Sequence, residues 1–586
     1  MRALSALLSA LWKYAAGRRH ILLTYTCLFI AANVTLLIEP IVIGKLLNTV
    51  QQAAEQPSPL QSIIRFLITI VLLTIGFWIL HGPARVMERS LAFHVRVQFV
   101  DHLYRIISHL PIQWHKNHHS GETINRMRKS STALYNFTGH GWQFIEMIIR
   151  LIGSITALFF LLPAAAFTAV AVTLFTFGIV FLFDRFLLKA YDAINKKEHF
   201  TASALHDYIT NIFTVITLRL EKLTHGELWR RMTHYFPFYR KTAATDESKW
   251  FLTTLIISIM TACLLVWYAW SRLAAGEILL AGTFYMLYEY LQKIGNAFYT
   301  FAWKYSETVE QYADFLAAKE IAAVDHNTVE EAAPLPKNWK TIEVKNLDFR
   351  YEDEEQHEQH LWNIHLTLGR GKRIALVGES GSGKSTLMSL LRNLHTPDRA
   401  MVSCDGVELP QGLRQVAEAV TLIPQEPEIF SNTIEYNITV DTDQSRGEIM
   451  EDVRLAAFES VLVRLPHGLQ TDIAEKGVNL SGGEKQRLAL ARGVFAAKQS
   501  DIILLDEPTS SVDSTNEFQI YRNIFERFSD RCIVSSIHKL HLLPLFDQIY
   551  VLEHGRIIEE GPLQKLLDRK GHLSRLWEEY TVDADQ

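Results

Sequence analysis

Apolar and polar positions divide this chain into two halves of different character. In the first half, long apolar runs alternate with charged stretches. Six runs approach the ~20 residues that a helix needs to cross a bilayer. They lie near Ile21–Ile43, Ile63–Leu80, Phe144–Leu162, Ala164–Phe183, Phe251–Trp270 and Ile278–Phe301. In the second half the apolar runs shorten to strand length and are separated by turn-forming residues, the pattern of an α/β domain. "TIEVKNLDFRY" alternates like a strand, and "KRIALVGESGSGKSTLMSLLRNL" reads as strand, glycine-rich loop and helix.

Charge between the apolar runs predicts their orientation. Arg18 and Arg19 precede the first run, and the loop "NTVQQAAEQPSPLQS" after it has neither Lys nor Arg. The stretches Arg85 to Lys129 and Lys189 to Lys249 are basic. The alternation places both termini and both basic stretches on the cytoplasmic side. "RVQFVDHLYRIISHLPIQWHKNHHSGETINRM" and "HDYITNIFTVITLRLEKLTHGELWRRM" keep helical periodicity. Each predicts a membrane helix that continues into the cytoplasm, turns around a short helix and runs back. The i, i+3, i+4 spacing of His115, His118 and His119 predicts one shared helix face there, without a Cys or carboxylate to complete a metal site.

Composition adds little to this division. The 586 residues are 48% hydrophobic with a formal net charge of −5, which gives no hint of nucleic-acid binding. Cys27, Cys263, Cys404 and Cys532 are too far apart to suggest a metal or disulfide framework. The first apolar run is too long for the core of a cleavable signal, and no small-residue cleavage site follows it.

Three motifs carry chemistry. Gly378, Gly383, Lys384 and Ser385 fit the phosphate-loop spacing, with the strand and helix that the motif requires on either side. Backbone N–H groups can close around phosphates there, Lys384 can neutralise them, and the Ser385 hydroxyl can bind Mg²⁺. "DIILLDEPTS" is an apolar strand ending in Asp506, a candidate Mg²⁺ holder, and Glu507, a candidate general base. "LSGGEKQRLALARGVF" sets Ser481, Gly482 and Gly483 at a helix start, a second anion site. Spacing does not say which nucleotide this second site meets.

These motifs together resemble an ATP-binding-cassette protein, and six spans ahead of one cassette resemble a half-transporter of the exporter family. The resemblance implies a multidomain fold: an all-α transmembrane domain of six long helices, the type I exporter (type IV) fold, followed by an α/β P-loop NTPase domain. It implies a transmembrane domain at 1–322, a linker at 323–340 and a cassette at 341–586. It further implies ATP and Mg²⁺ as cofactors and a dimer in which Ser481, Gly482 and Gly483 face the nucleotide on the partner's loop, where Ser380, Gly381 and Thr386 also belong. By the same resemblance Tyr351 stacks on adenine, Gln425 contacts Mg²⁺, His538 contacts the γ-phosphate and Asp513 lies in the loop crossing between cassettes. Ala474–Gly477 resembles the segment that contacts the partner's stalks. Since Glu507, Ser481 and His538 are all present, the expected partner is an identical chain. "SSVD" and His538-Lys539 replace the usual SALD and His-Arg.

The expected function is an ATP-driven exporter or lipid flippase working by alternating access, in a multi-pass protein of a bacterial inner membrane. An ATP-gated channel or membrane regulator is the alternative. Cargo evidence comes from charges inside the spans, each of which costs about 2.5–3.5 kcal/mol at a bilayer centre. Glu39 is in the first, Glu146 and Arg150 in the third, and Glu289 and Lys293 in the sixth. The family's first, third and sixth spans line a cavity, so these charges are expected to face water or the headgroups of an amphipathic cargo. The opposing expectation is that each i,i+4 pair neutralises itself and fixes helix packing.

Overall fold

The computed structural model describes residues 2–55, 58–118, 120–322, 332–351, 360–426, 428–473 and 480–584. The chain divides into two compact units, Met1–His109 with His119–Asp325, and Leu110–His118 with His326–Gln586. The helices before the linker are α1 (Arg2–Tyr14), α2 (Arg19–Gln51), α3 (Pro59–Ser108), α4 (Ile112–Asn117), α5 (Ser120–Gly139), α6 (Gly141–Leu161), α7 (Pro163–Thr210), α8 (Ile212–Thr217), α9 (Glu221–His234), α10 (Phe236–Ala274) and α11 (Ala281–Ala322). All belong to the first unit except α4, which falls in the second.

The long helices continue past their apolar runs as the periodicity predicts. Pro59 and Pro163 open α3 and α7, where a missing N–H costs nothing. Short α4 and α8 mark the two turns. Among the described residues, five helical stretches are long and apolar enough to cross a membrane: Arg19–Gln51, Pro59–Ser108, Thr123–Leu161, Pro163–Thr210 and Glu221–Ala274. Helix α11 is not among them, because Tyr285, Glu289, Gln292 and Lys293 interrupt its apolar stretch. It packs against α1, α2, α3, α5, α6, α7 and α10, so little of it needs to be lipid-compatible. It also begins at Ala281 rather than Ile278, where α2 side chains cap it. Gln51 Oε1 accepts the Ala281 N–H (2.8 Å) and Asn48 Oδ1 accepts the Gly282 N–H (2.7 Å).

Close backbone contact and polar bonds join these helices, as expected where lipid removes the hydrophobic drive for association. Pro40 lies inside α2 and cannot donate a backbone bond. One turn away, the Leu37 carbonyl accepts the Tyr290 hydroxyl of α11 at 2.8 Å. Gly153 of α6 admits the Leu37 side chain, since a Cβ there would lie 2.1 Å from it. Buried Glu88 of α3 accepts the Trp142 N–H (2.8 Å) and pairs with Arg85, which donates to the Gly139 carbonyl (2.8 Å). This carboxylate therefore holds the break between α5 and α6. Lys249 of α10, also buried, meets Asp184 of α7 at 3.1 Å and Asp246 at 2.8 Å.

The second unit carries β1 (Thr341–Arg350), β2 (His360–Gly369), β3 (Arg373–Val377), β4 (Arg399–Cys404), β5 (Val407–Glu408), β6 (Val420–Ile423), β7 (Ile502–Asp506), β8 (Cys532–Ile537), β9 (Gln548–Glu553) and β10 (Arg556–Gly561). Its helices are α12 (Lys384–Leu391), α13 (Leu413–Ala417), α14 (Ile434–Thr439), α15 (Arg446–Leu455), α16 (Glu459–Arg464), α17 (Gly482–Ala497), α18 (Ser514–Arg527), α19 (Leu563–Asp568) and α20 (His572–Ala584). One sheet is antiparallel in the order β2-β1-β4-β5; the other runs β10-β9-β3-β8-β7-β6. In the latter, β3 pairs in parallel with β8 and β9, and β7 with β6 and β8. Alternate residues feed two cores: Ala375 and Val377 face one, Ile374 and Leu376 the other. Burial on both faces explains the uninterrupted apolar strands "RIALV" and "IILLD".

The tightest membrane contact yields a test. A Cβ on Gly282 would lie 1.7 Å from the Gly44 carbonyl oxygen. Gly282→Val should lower the melting temperature of the detergent-purified protein, by the ~1–3 kcal/mol of an overpacked core or more. An unchanged melt would contradict this packing.

Candidate functional site

Strand register assembles the cytoplasmic site. Parallel pairing puts Val377 beside Ile537 and Asp506 beside Ser536. The next residues along the three strands are Gly378, His538 and Glu507, at the carboxyl ends where α/β sheets bind ligands. The phosphate loop then turns into α12. Gly378 has φ 155° and Gly383, the helix cap, φ 104°. A Cβ on Gly378 would lie 2.2 Å from the Leu552 carbonyl oxygen, and one on Gly383 2.6 Å from Leu361. Both positions therefore require glycine, as does Gly381 by its φ of 82°, although a Cβ there would meet nothing within 4 Å. Ser380 is exposed beside it.

Lys384 is 5% exposed, and its Nζ donates to the carbonyls of Gly378 (2.7 Å) and Glu379 (3.0 Å). Burial pushes its ammonium below the usual lysine range, while Glu507 and Asp506 hold it up. The Ser385 hydroxyl donates to Asp506 Oδ1 at 3.1 Å, so the two candidate Mg²⁺ holders are adjacent. The Ser536 hydroxyl donates to the same oxygen at 2.8 Å and accepts the Glu507 N–H at 2.9 Å. Glu507 itself has φ 45°, a left-handed conformation that is strained for a side chain and frequent at functional positions. Gln425 Nε2 donates to its Oε2 (2.8 Å), and His538 Nε2 stands 2.6 Å from its Oε1. Tyr351 lies edge-on to Phe349 and His395, with its hydroxyl 3.5 Å from that of Thr386.

The remaining candidates lie on α17 and α18. Ser481 caps α17 in a reciprocal box with Glu484, whose carboxylate is held below the usual range by the Ser481 N–H. The adjacent glycines differ. A Cβ on Gly482 would meet nothing within 4 Å, whereas one on Gly483 would lie 2.6 Å from the Ser511 carbonyl oxygen. Asp513 caps α18, accepting from the Asn516 side chain (2.7 Å) and backbone (3.0 Å), which lower its carboxyl below the usual range. Ala474–Gly477 lies outside the described residues.

Sequence reading missed two residues of this site. Gln486 of α17, 4% exposed, donates to the Glu507 carbonyl (3.2 Å) and the Ser510 hydroxyl (2.9 Å) and accepts the Ser511 N–H (2.8 Å). Ser536 joins Asp506 to Glu507. The available signal was polarity in a buried setting: a glutamine on the apolar face of α17, and paired serines inside the otherwise apolar β8.

In the first unit, the five charges from three spans gather into one cluster. Glu146 pairs with Arg150 on α6. Lys293 of α11 lies within electrostatic reach of Arg150, Glu39, Glu289 and Glu146. Tyr285, unnoticed in the sequence, lies near Glu289 and Glu39. All five charged side chains retain partial exposure. His118 stacks on Trp114 at 4.2 Å, and no group of metal-ligating side chains occurs among the described residues.

Known proteins match both halves. Residues 22–294 match the model of the ABC transporter transmembrane region, and residues 361–510 that of the ABC transporter. A mitochondrial iron–sulfur clusters transporter of Oryzias latipes is 30% identical over 424 residues, 70% of this chain and 54% of that protein. An ATP-dependent lipid A-core flippase of Legionella pneumophila (strain Paris) is 35% identical over 238 residues, 40% of each chain. The chain thus spans about half the length, or less, of the curated relatives it matches. A solved bacterial Atm1-family ABC exporter with ATP bound superposes with a TM-score of 0.78, covering 96% of this chain and 98% of that one; at 22% identity this establishes the fold. With both regions in one chain, this multi-pass integral membrane protein belongs to the ABC transporters.

Proposed function

We propose that the chain is half of an ATP-driven exporter or lipid flippase, working by alternating access as a dimer and moving an amphipathic cargo out of the cytoplasm or inner leaflet. The carrying observation is the meeting of Lys384, Ser385, Asp506, Glu507, Gln425 and His538 at the ends of four strands, β3, β6, β7 and β8, in a chain whose other half is membrane helices. The proposed division is a membrane domain at 1–322, a linker at 323–340 and a cassette at 341–586, with the termini and the cassette in the cytoplasm.

ATP is the substrate. A triphosphate in the loop offers Lys384 Nζ anionic oxygens in place of two loop carbonyls, and Tyr351 supplies a ring face for adenine. Ser385 and Asp506 present hard oxygen donors that fit Mg²⁺, with Gln425 as a further contact. When bound, the metal neutralises phosphate charge. Glu507 orients and deprotonates the attacking water. Gln425 and His538 hold its two oxygens toward the strand ends, and His538 contacts the γ-phosphate. Gly482 faces open space, which suits approach by a second chain's nucleotide, and Ser481 stands beside it. Two identical chains would complete two such sites. ATP contacted from both sides favours the closed dimer more than ADP does, and that difference drives the cycle.

The membrane cluster is the proposed cargo contact. It combines both charge signs with tyrosine, a lining suited to zwitterionic or anionic headgroups joined to apolar bodies. The names of the two relatives, an iron–sulfur clusters transporter and a lipid A-core flippase, belong to different cargo chemistries.

Four measurements test this reading. Purified protein in lipid should hydrolyse ATP, and one amphipathic class among lipids, lipid-linked sugars, drugs and peptides should stimulate it. Sealed vesicles should accumulate that cargo with ATP; hydrolysis without accumulation would indicate a channel or regulator instead. Glu507→Gln should lower turnover by at least the ~10²–10⁴-fold of general-base catalysis while still giving an ATP-bound dimer on size exclusion; rapid turnover would remove the general-base role. Glu289→Gln combined with Lys293→Met should abolish cargo stimulation and transport; survival of both would remove the cavity role.

A further inference from the structure

The first turn of α18 carries a carboxylate that the chemistry above leaves unused. Glu517 is 3% exposed. Its Oε1 accepts the Thr509 hydroxyl at 2.6 Å. Its Oε2 is faced by Lys539 Nζ at 3.1 Å and by His541 Nε2 at 3.6 Å. Thr509 follows Glu507 by two positions, and Lys539 follows His538 directly. One buried carboxylate thus holds the segments leaving both members of the Glu507–His538 pair.

Lys539 extends this hold. Its Nζ also donates to the Val512 carbonyl at 3.1 Å, the residue before Asp513. His541 Nδ1 lies 3.1 Å from the Tyr580 hydroxyl on α20. The buried Glu517 carboxylate persists as a charge when it is paired, and removing the partly exposed Lys539 leaves it uncompensated. Glu517 and Lys539 both hold the loop between β7 and α18, at Thr509 and at the Val512 carbonyl.

We propose that Glu517 and Lys539 are positioning residues for ATP hydrolysis. The pair sets the separation of Glu507 and His538 and fixes the main chain leading into Asp513. This inference rests on the ATPase reading above. A role in folding alone would lower stability without separating kcat from KM. A positioning role lowers kcat while ATP still binds the phosphate loop, which the pair does not touch.

The test uses the full chain in lipid nanodiscs, with steady-state ATPase and thermal melting measured together. Lys539→Met should lower kcat about tenfold with KM for ATP within about twofold of wild type. Lys539→Arg should recover most of kcat, and Glu517→Gln/Lys539→Met should be no slower than the slower single variant. Should Lys539→Met fail to yield folded protein, Glu517→Gln, which keeps the side-chain shape, carries the same expectation. Wild-type kcat in Lys539→Met or Glu517→Gln, a parallel rise in KM, or additive losses in the double variant would overturn the inference. Absence of turnover in the wild type would instead overturn the ATPase reading, and the inference with it.

Discussion

Parallel pairing of β3, β8 and β7 is the constraint on which the cassette depends. It aligns three strand ends, so that the residues just beyond them meet although they lie far apart in the chain. Strand β8 sits between the phosphate-loop strand and the acidic strand, and its Ser536 spans the gap to both Asp506 and the Glu507 amide. A one-residue slip of β7 would exchange its side chains between the two cores, so the close packing of each core, rather than apolar character alone, holds the register.

The membrane unit solves a different problem. Lipid gives apolar helices little reason to choose one another. The choice is made by backbone approach at Gly44 and Gly282, by entry of the Leu37 side chain at Gly153 and by hydrogen bonds to backbone groups. Those groups are the Leu37 carbonyl near Pro40 and the first amides of α11. The same convergence of α2, α6 and α11 gathers the charges that would be costly against lipid.

Much of this was legible in the sequence, for identifiable reasons. The phosphate loop was legible because its glycine spacing answers a local backbone requirement. The stalk turns were legible because helical periodicity continues beyond the apolar runs. Glu289 and Lys293 stood out because charge inside an apolar run is rare. Gln486, Ser536 and Tyr285 were not legible, because their roles depend on which distant element lies beside them. Asp513 shows a subtler gap: the motif suggested a loop crossing between cassettes, while in its own chain the carboxylate caps a helix. The exact start of α11 was not legible, because the cap that sets it comes from α2, more than two hundred positions earlier.

The Ser511 peptide is gripped from two sides by one helix. Its N–H is bonded by Gln486, and its carbonyl rests where a side chain on Gly483 would otherwise stand. Such a joint has no mechanical slack. A displacement of the loop ahead of Asp513 cannot be absorbed locally and must pass to the start of α17. The start of α17 and the loop ahead of Asp513 therefore behave as a single moving part.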